Sequence, residues 1–222
     1  MGSSMFFCLR VDLDYVPWDN PDAAEFGHGE PAVVLRLLDL ARDTGCKFHF
    51  FASTRVLRAF PATVAAVLDE GHDLDWLCKH PESPHARYVD AKSSVERLGH
   101  RFAGLAVREE WPEGASAPDS GLRFISATSG ETPPNIRLFQ TSEVGDRVAM
   151  RSGLTARKWL DDLKAALRKN ASRNVGSTVC VRPQVLARFD PRLTCVREIT
   201  DFAGAVGLQV VSLRQAVDLQ PG

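Results

Sequence analysis

Short apolar runs alternate with longer amphipathic ones between Phe6 and Leu77, and this alternation restricts the fold more than any other feature of the chain. Residues 6–14 read as a strand and 31–44 as a helix, with Val33, Val34, Leu37, Leu38 and Ala41 at helical spacing. A strand over 47–52, a helix over 61–69 and a strand over 72–77 come next, with Gly45 and Gly71 stopping the two helices. A β-α-β-α-β order implies parallel strands, because parallel neighbours need a crossover connection and not a tight hairpin.

The same reading extends to the end of the chain. It expects a helix over 89–98, strands over 102–107, 122–127 and 136–140, and a helix over 154–169 with Trp159, Leu160, Leu163, Ala166 and Leu167 on one face. A strand over 177–181, a helix over 193–206 stopped by Gly207, a strand over 208–212 and a short helix over 213–219 complete it. Residues 15–30, 78–88, 108–120 and 128–135 are polar and punctuated by Pro and Gly, so they read as loops. With 222 residues and no repeat or linker, one α/β domain over residues 5–222 is the simplest organisation, residues 1–4 reading as a cloning remnant.

Composition narrows the function. A formal net charge of -1 offers no basic excess for nucleic acid or a membrane surface. No apolar run reaches a membrane span, and the start of the chain carries no secretory pattern, so a cytoplasmic protein is expected. The five cysteines are dispersed and include no CxxC pair, which fits a reducing compartment better than a disulfide framework.

The first strand ends in two acids, Asp12 and Asp14. Residues two apart on a strand share a face, so both carboxylates lean to one side at the carboxyl end, where chemistry collects in parallel α/β folds. Like charges that close need a cation or a shared proton, although acids can also simply end a strand and cap the next segment. Other residues have two readings as well. His49 is a core histidine or a barrel-interior group near Asp12. His80 is a loop histidine or a ligand, and Cys78 a small buried residue or a ligand. Trp18, Trp76 and Trp111 are loop anchors or rings that stack on sugars.

These elements resemble the polysaccharide deacetylase family, the metal-dependent N-deacetylases of chitin, peptidoglycan and related glycans. Arg10-Val-Asp-Leu-Asp14 is similar to the family's first acid motif, Phe48-His49-Phe50-Phe51 to its second strand, and Gly71-His72-Asp73-Leu74 to the turn into its second motif. Val179-Cys-Val-Arg-Pro183 stands where the family's last motif lies. The resemblance implies a distorted (β/α) barrel of about seven parallel strands, open at one side, in a single domain.

It also implies roles and gaps. Asp12 would be the general base and Asp14 a metal ligand. The first of the family's two histidines falls on Leu77 or Trp76, and His80 stands in for the second. That leaves a divalent metal, zinc first among them, one ligand short of three, with Cys78, Asp75 or His85 as the third, or no metal at all. The family's base-orienting Arg has no convincing counterpart among residues 101–108. The last histidine, its general acid, falls on Arg182, whose charge would stabilise an oxyanion or hold a substrate carboxylate or phosphate. The expected function is deacetylase-like hydrolysis of an N-acylated sugar or other small amide, a small-molecule or carbohydrate-like substrate. The alternative is a degenerate relative without the metal that binds a ligand or partner, or runs metal-free acid–base chemistry.

Overall fold

A computed structural model describes residues 5–14, 30–81, 84–142 and 144–219. The first strand, β1 (Phe6–Leu13), is the hub. It pairs in parallel with β2 (His49–Ala52) through residues 10–13 and with β7 (Ser177–Val181) through residues 7–11. Its first two residues, Phe6 and Phe7, pair with β8 (Gln209–Val210). The sheet continues from β2 through β3 (Asp73–Leu77), β4 (Gly104–Ala106), β5 (Phe124–Ala127) and β6 (Arg137–Gln140), giving the order β6-β5-β4-β3-β2-β1-β7. A parallel bridge between Thr141 and Thr178, with the Ser142 N–H donating to the Thr178 carbonyl at 2.8 Å, brings β6 to β7 and nearly closes the barrel. Away from that bridge the two strands part around a cleft of about 670 Å³ lined by Phe6, Phe139, Leu163, Asn170, Gly176 and Val179. The expected barrel of seven parallel strands with one open side is the observed architecture.

Nine helices are described: α1 (Glu30–Thr44), α2 (Thr54–Ala59), α3 (Pro61–Asp69), α4 (Pro84–Glu96), α5 (Asp146–Arg151), α6 (Ala156–Ala171), α7 (Pro183–Phe189), α8 (Thr194–Ala205) and α9 (Leu213–Leu219). Among the described residues, none is long and apolar enough to cross a membrane. Three of them, α2, α5 and α7, were not anticipated. Each spans seven residues or fewer, too short for a helical period to show, but local signals exist. Ser53 caps α2 through its side chain, and α7 opens on Pro183, whose missing N–H costs nothing at a first helical position. The same preference starts α4 at Pro84 and not at residue 89, which puts His85 in the first turn of a helix.

Alternation along β1 builds two cores. Phe7, Leu9, Val11 and Leu13 face the helices in the larger cluster. Phe6 and Cys8 face inward with Phe51, Leu77, Ala106, Phe124 and Phe139, where Leu213 and Ala216 of α9 complete the packing. The inward row then changes character: Arg10, Asp12 and Asp14 come next, all buried.

The end of the barrel that α9 covers is fastened by polar groups. His49 Nδ1 accepts the Leu213 N–H at 3.0 Å, which leaves Nε2–H to donate to Asp75 Oδ2 at 3.1 Å. Asp75 also accepts from Arg214 Nη2 at 2.8 Å and from the Ala103 and Gly104 N–H groups at 2.6 and 3.1 Å. Because those two N–H groups go to a carboxylate, the β4 ladder begins at Gly104, two residues later than periodicity suggested.

A Cβ on Gly104 would strike the Phe124 ring, whereas one on Gly204, within α8, would meet nothing within 4 Å. Gly104→Ala should therefore destabilise the fold by about 1–3 kcal/mol through overpacking. Gly204→Ala should stabilise it by about 0.5–1 kcal/mol by favouring helix. Chemical denaturation of both variants checks the pair, and equal effects would contradict the inner packing.

Candidate functional site

The charged end of the inward row is organised by Arg10. Its Nε donates to Asp12 Oδ1 at 2.7 Å and its Nη2 to Asp12 Oδ2 at 2.9 Å, a two-pronged pair with both side chains buried. The remaining donors reach across the barrel: Nη2 to the Val107 carbonyl at 2.8 Å, and Nη1 to the Ser126 carbonyl, Ser126 Oγ and Thr141 Oγ1 at 3.1, 3.1 and 3.2 Å. Burial opposes ionisation of Asp12, but the charge and hydrogen bonds of Arg10, helped by Arg182 and the Cys180 thiol, hold its carboxyl below the ordinary range. Burial pushes the Cys180 thiol up to about 12, so it stays protonated and is no nucleophile.

One turn of the row further, Asp14 lies 3.0 Å from Lys79 Nζ and contacts Arg108, which follows β4. Neither carboxylate oxygen of Asp14 accepts a well-oriented hydrogen bond among the described residues. Arg182 follows β7 and binds Asp146 of α5 twice, from its backbone N–H at 2.6 Å and from Nη1 at 3.0 Å. Burial pushes the Asp146 carboxyl up to about 6, against the opposing pull of Arg182. Burial, and then the charge of Arg182, hold Arg108 below its ordinary range; burial, Arg151 and Arg182 do the same to Arg147.

The residues singled out in the sequence separate into two sets. Asp12, Asp14 and Arg182 come together at the carboxyl ends of β1 and β7. The others do not join them. Asp75 and His49 fasten α9 to the far end of the barrel, so neither serves as a ligand or substrate contact at the mouth. Cys78 belongs to the core between sheet and helices, because alternation turns Leu77 and not Cys78 inward. His80 is exposed, and His85 is exposed on α4 and bonded to Ser116 Oγ at 3.0 Å. Trp76 is buried against Tyr88 with its Nε1 donating to Thr54 Oγ1, and Trp111 is buried with its Nε1 donating to the Ala115 carbonyl. Neither ring is available to a sugar. Trp18 lies outside the described residues.

Among the described residues the donor set does not fit the metal that the resemblance implies. Among the described residues no group of three His, Cys, Asp or Glu side chains could hold an ion. Asp14 is an expected ligand that lies at the mouth, and it already faces two cations. The structure also supplies arginines beside both acids, where the sequence offered no convincing base-orienting Arg. Arg10 holds Asp12 from the same strand, and Arg108 sits beside Asp14. Arg10, Arg108 and Asp146 were missed as site residues. The signal available for Arg10 was its place on the inward row two residues before Asp12. Asp146 had none beyond following Gly145.

This parallel barrel shares its fold with solved structures described as polysaccharide deacetylases, and the chain is a divergent structural relative of them. A Mycobacterium smegmatis protein described as a polysaccharide deacetylase superposes with a TM-score of 0.76 over 98% of this chain and 90% of its own, at 15% identity. PuuE allantoinase does so at 0.78 over 97% of this chain and 89% of its own, with 11% identity. A CE4 family pseudoenzyme from Bacillus anthracis matches at 0.61 over 99% of this chain and 67% of its own, with 10% identity. At these identities the likeness is one of fold. No protein-family model matches the sequence, and no curated protein does.

Two outcomes test the geometry. Arg10→Met leaves Asp12 buried without its cation and should destabilise the protein by about 3–5 kcal/mol, with Arg10→Met/Asp12→Leu recovering most of the loss in thermal unfolding. Asp146 binds its proton more tightly in the folded chain, near 6 against an ordinary 3.8, so its contribution to stability falls as pH rises through that window. Relative to Asp146→Asn, the wild type should gain stability as pH is lowered from about 7 to about 4 and show a flat difference above about 7. A slope of opposite sign would mean that Arg182 outweighs burial.

Proposed function

We propose that this chain is a degenerate deacetylase-type barrel whose mouth binds a small-molecule or carbohydrate-like ligand without a divalent metal. One observation carries the reading. Asp14, the acid the resemblance assigns to the metal, is already matched by Lys79 and Arg108, Asp12 is taken up by Arg10, and no group of three metal-competent side chains forms among the described residues. A divalent ion would have to enter against these cations and compete for carboxylates that they already hold. Asp12 supports the same conclusion. A carboxylate held in a two-pronged pair and below its ordinary pKa is a weak base at neutral pH. What remains at the mouth is a set of fixed charges suited to holding a ligand.

A second reading has its own support. The acid pair is retained at the carboxyl end of β1, and the solved structures that share the fold include a polysaccharide deacetylase and an allantoinase. In this reading the chain is a hydrolase of a non-peptide C–N bond that removes an acyl group from an N-acylated sugar or other small amide. Asp12 would take a proton, and Arg182 would stabilise the oxyanion. The pseudoenzyme neighbour bears on both readings, because a variant of it is described as having restored enzymatic activity.

Metal titration separates the two. Purified full chain and Asp14→Ala, each exposed to Zn²⁺, Ni²⁺, Co²⁺ and Mn²⁺ and then desalted, should retain equally little metal by elemental analysis. Near-stoichiometric metal that vanishes in Asp14→Ala, with acetate released from N-acetylglucosamine oligomers, would replace the binding reading by the hydrolase.

A further inference from the structure

We infer that the ligand of this mouth carries an oxyanion, a carboxylate or a phosphate, beside hydroxyl or amide donors, and that Arg182, Arg108 and Arg147 grip the oxyanion. The inference rests on the metal-free binding reading and adds the class of ligand.

Three arginines meet where β4, β7 and α5 end or begin. Arg182 follows β7, Arg108 follows β4 and contacts Asp14 of β1, and Arg147 is the second residue of α5, whose first residue binds Arg182. Arg182 is only 9% exposed. The Nε atoms of all three are buried and have no hydrogen-bond partner among the described residues. Three unpaired guanidinium N–H groups in one place are costly twice over, through lost hydrogen bonds and through like-charge repulsion. The carboxylates nearby offset part of the charge on Arg108 and Arg182 but leave all three Nε–H groups without an acceptor among the described residues. Asp12 is taken up by Arg10, Asp14 is shared by Lys79 and Arg108, and Asp146 is held by Arg182. Among the described residues the exposed Glu109 also faces Arg147 from outside this set. Guanidinium forks match carboxylate and phosphate oxygens in geometry as well as charge.

Acceptors are left over beside these donors. Among the described residues Gln184 Oε1 is buried without a hydrogen-bond partner, and the Asp14 oxygens, although ion-paired with Lys79 and Arg108, accept no well-oriented hydrogen bond, while Gln184 Nε2 donates to the Asp14 carbonyl at 3.0 Å. A ligand that satisfied the whole set would therefore present an anionic group to the arginines and O–H or N–H groups to Asp14 and Gln184. A hydroxylated acid, such as a sugar phosphate or a uronic acid, has that arrangement.

Isothermal titration of the full chain at fixed ionic strength tests the inference with four probes: inorganic phosphate, glucose 6-phosphate, glucuronate and glucose. At least one charged probe should bind with one-to-one stoichiometry, and glucose about tenfold more weakly or not at all. Preference for glucose 6-phosphate assigns a phosphate, and preference for glucuronate a carboxylate. Arg182→Gln strands Asp146 and endangers the fold, so Arg147→Ala and Arg108→Ala carry the test. Each should weaken binding about tenfold or more, and Arg168→Ala, on the outer face of α6, should leave it unchanged. Binding that is unaltered in Arg147→Ala and Arg108→Ala, or glucose bound as well as its charged relatives, would overturn the inference. Absence of both anion and metal binding sinks this inference alone. An Asp14-dependent metal site without anion binding sinks the metal-free reading with it.

Discussion

A guanidinium inside a barrel cannot be left without acceptors, and satisfying Arg10 decides how the carboxyl ends of four strands meet. Its position on the inward row of β1 is set by alternation, and burial removes water as a partner. The protein supplies a carboxylate two residues away and then oxygens from Val107, Ser126 and Thr141, which follow β4, lie in β5 and follow β6. The residue that brings the last of these, Thr141, also forms the bridge to β7. Charge satisfaction and barrel closure are thus one arrangement. The same arrangement pairs Asp12 with Arg10, while Lys79 and Arg108 face Asp14 and Arg182 faces Asp146.

Most of the architecture was legible because it depends on period and punctuation. Val33, Val34, Leu37, Leu38 and Ala41 are all buried where helical spacing placed them, and the boundaries of β7, α3 and α9 agree with the reading to the residue. Errors arose where a local group overrode the pattern. Asp75 took the N–H groups that would have lengthened β4, and prolines started α4 and α7 without any helical period before them. The site was less legible. A motif order shows which residues lie near a strand end but not which way each side chain turns. Leu77 faces in and Cys78 out, Trp76 packs under α2 and α4, and His49 and Asp75 serve the opposite end of the barrel. Long-range pairs such as Arg182 with Asp146, or Arg108 with Asp14, have no periodic signal at all.

The acid pair at the end of β1 lies among cations. Asp12 and Asp14 keep their spacing and place, yet the partners around them are arginines and a lysine where a divalent ion would need carboxylates, histidines or open water. The fold supports either use. The solved structures that share it are described as deacetylase, allantoinase and pseudoenzyme, so the barrel by itself does not fix an activity.

The fastening of α9 has a consequence for how the barrel is made. β1 is the first strand, yet its partners β7 and β8 and the helix that covers its interior come last in the described chain. Until Leu213 reaches His49 and Arg214 reaches Asp75, the inward phenylalanines lack the cover of α9, His49 Nδ1 lacks its donor and Asp75 lacks its cation. Such long-range dependence raises contact order and delays the cooperative step until residues 213–219 have been made. A nascent chain halted before residue 213 would present an open, apolar barrel interior to its surroundings.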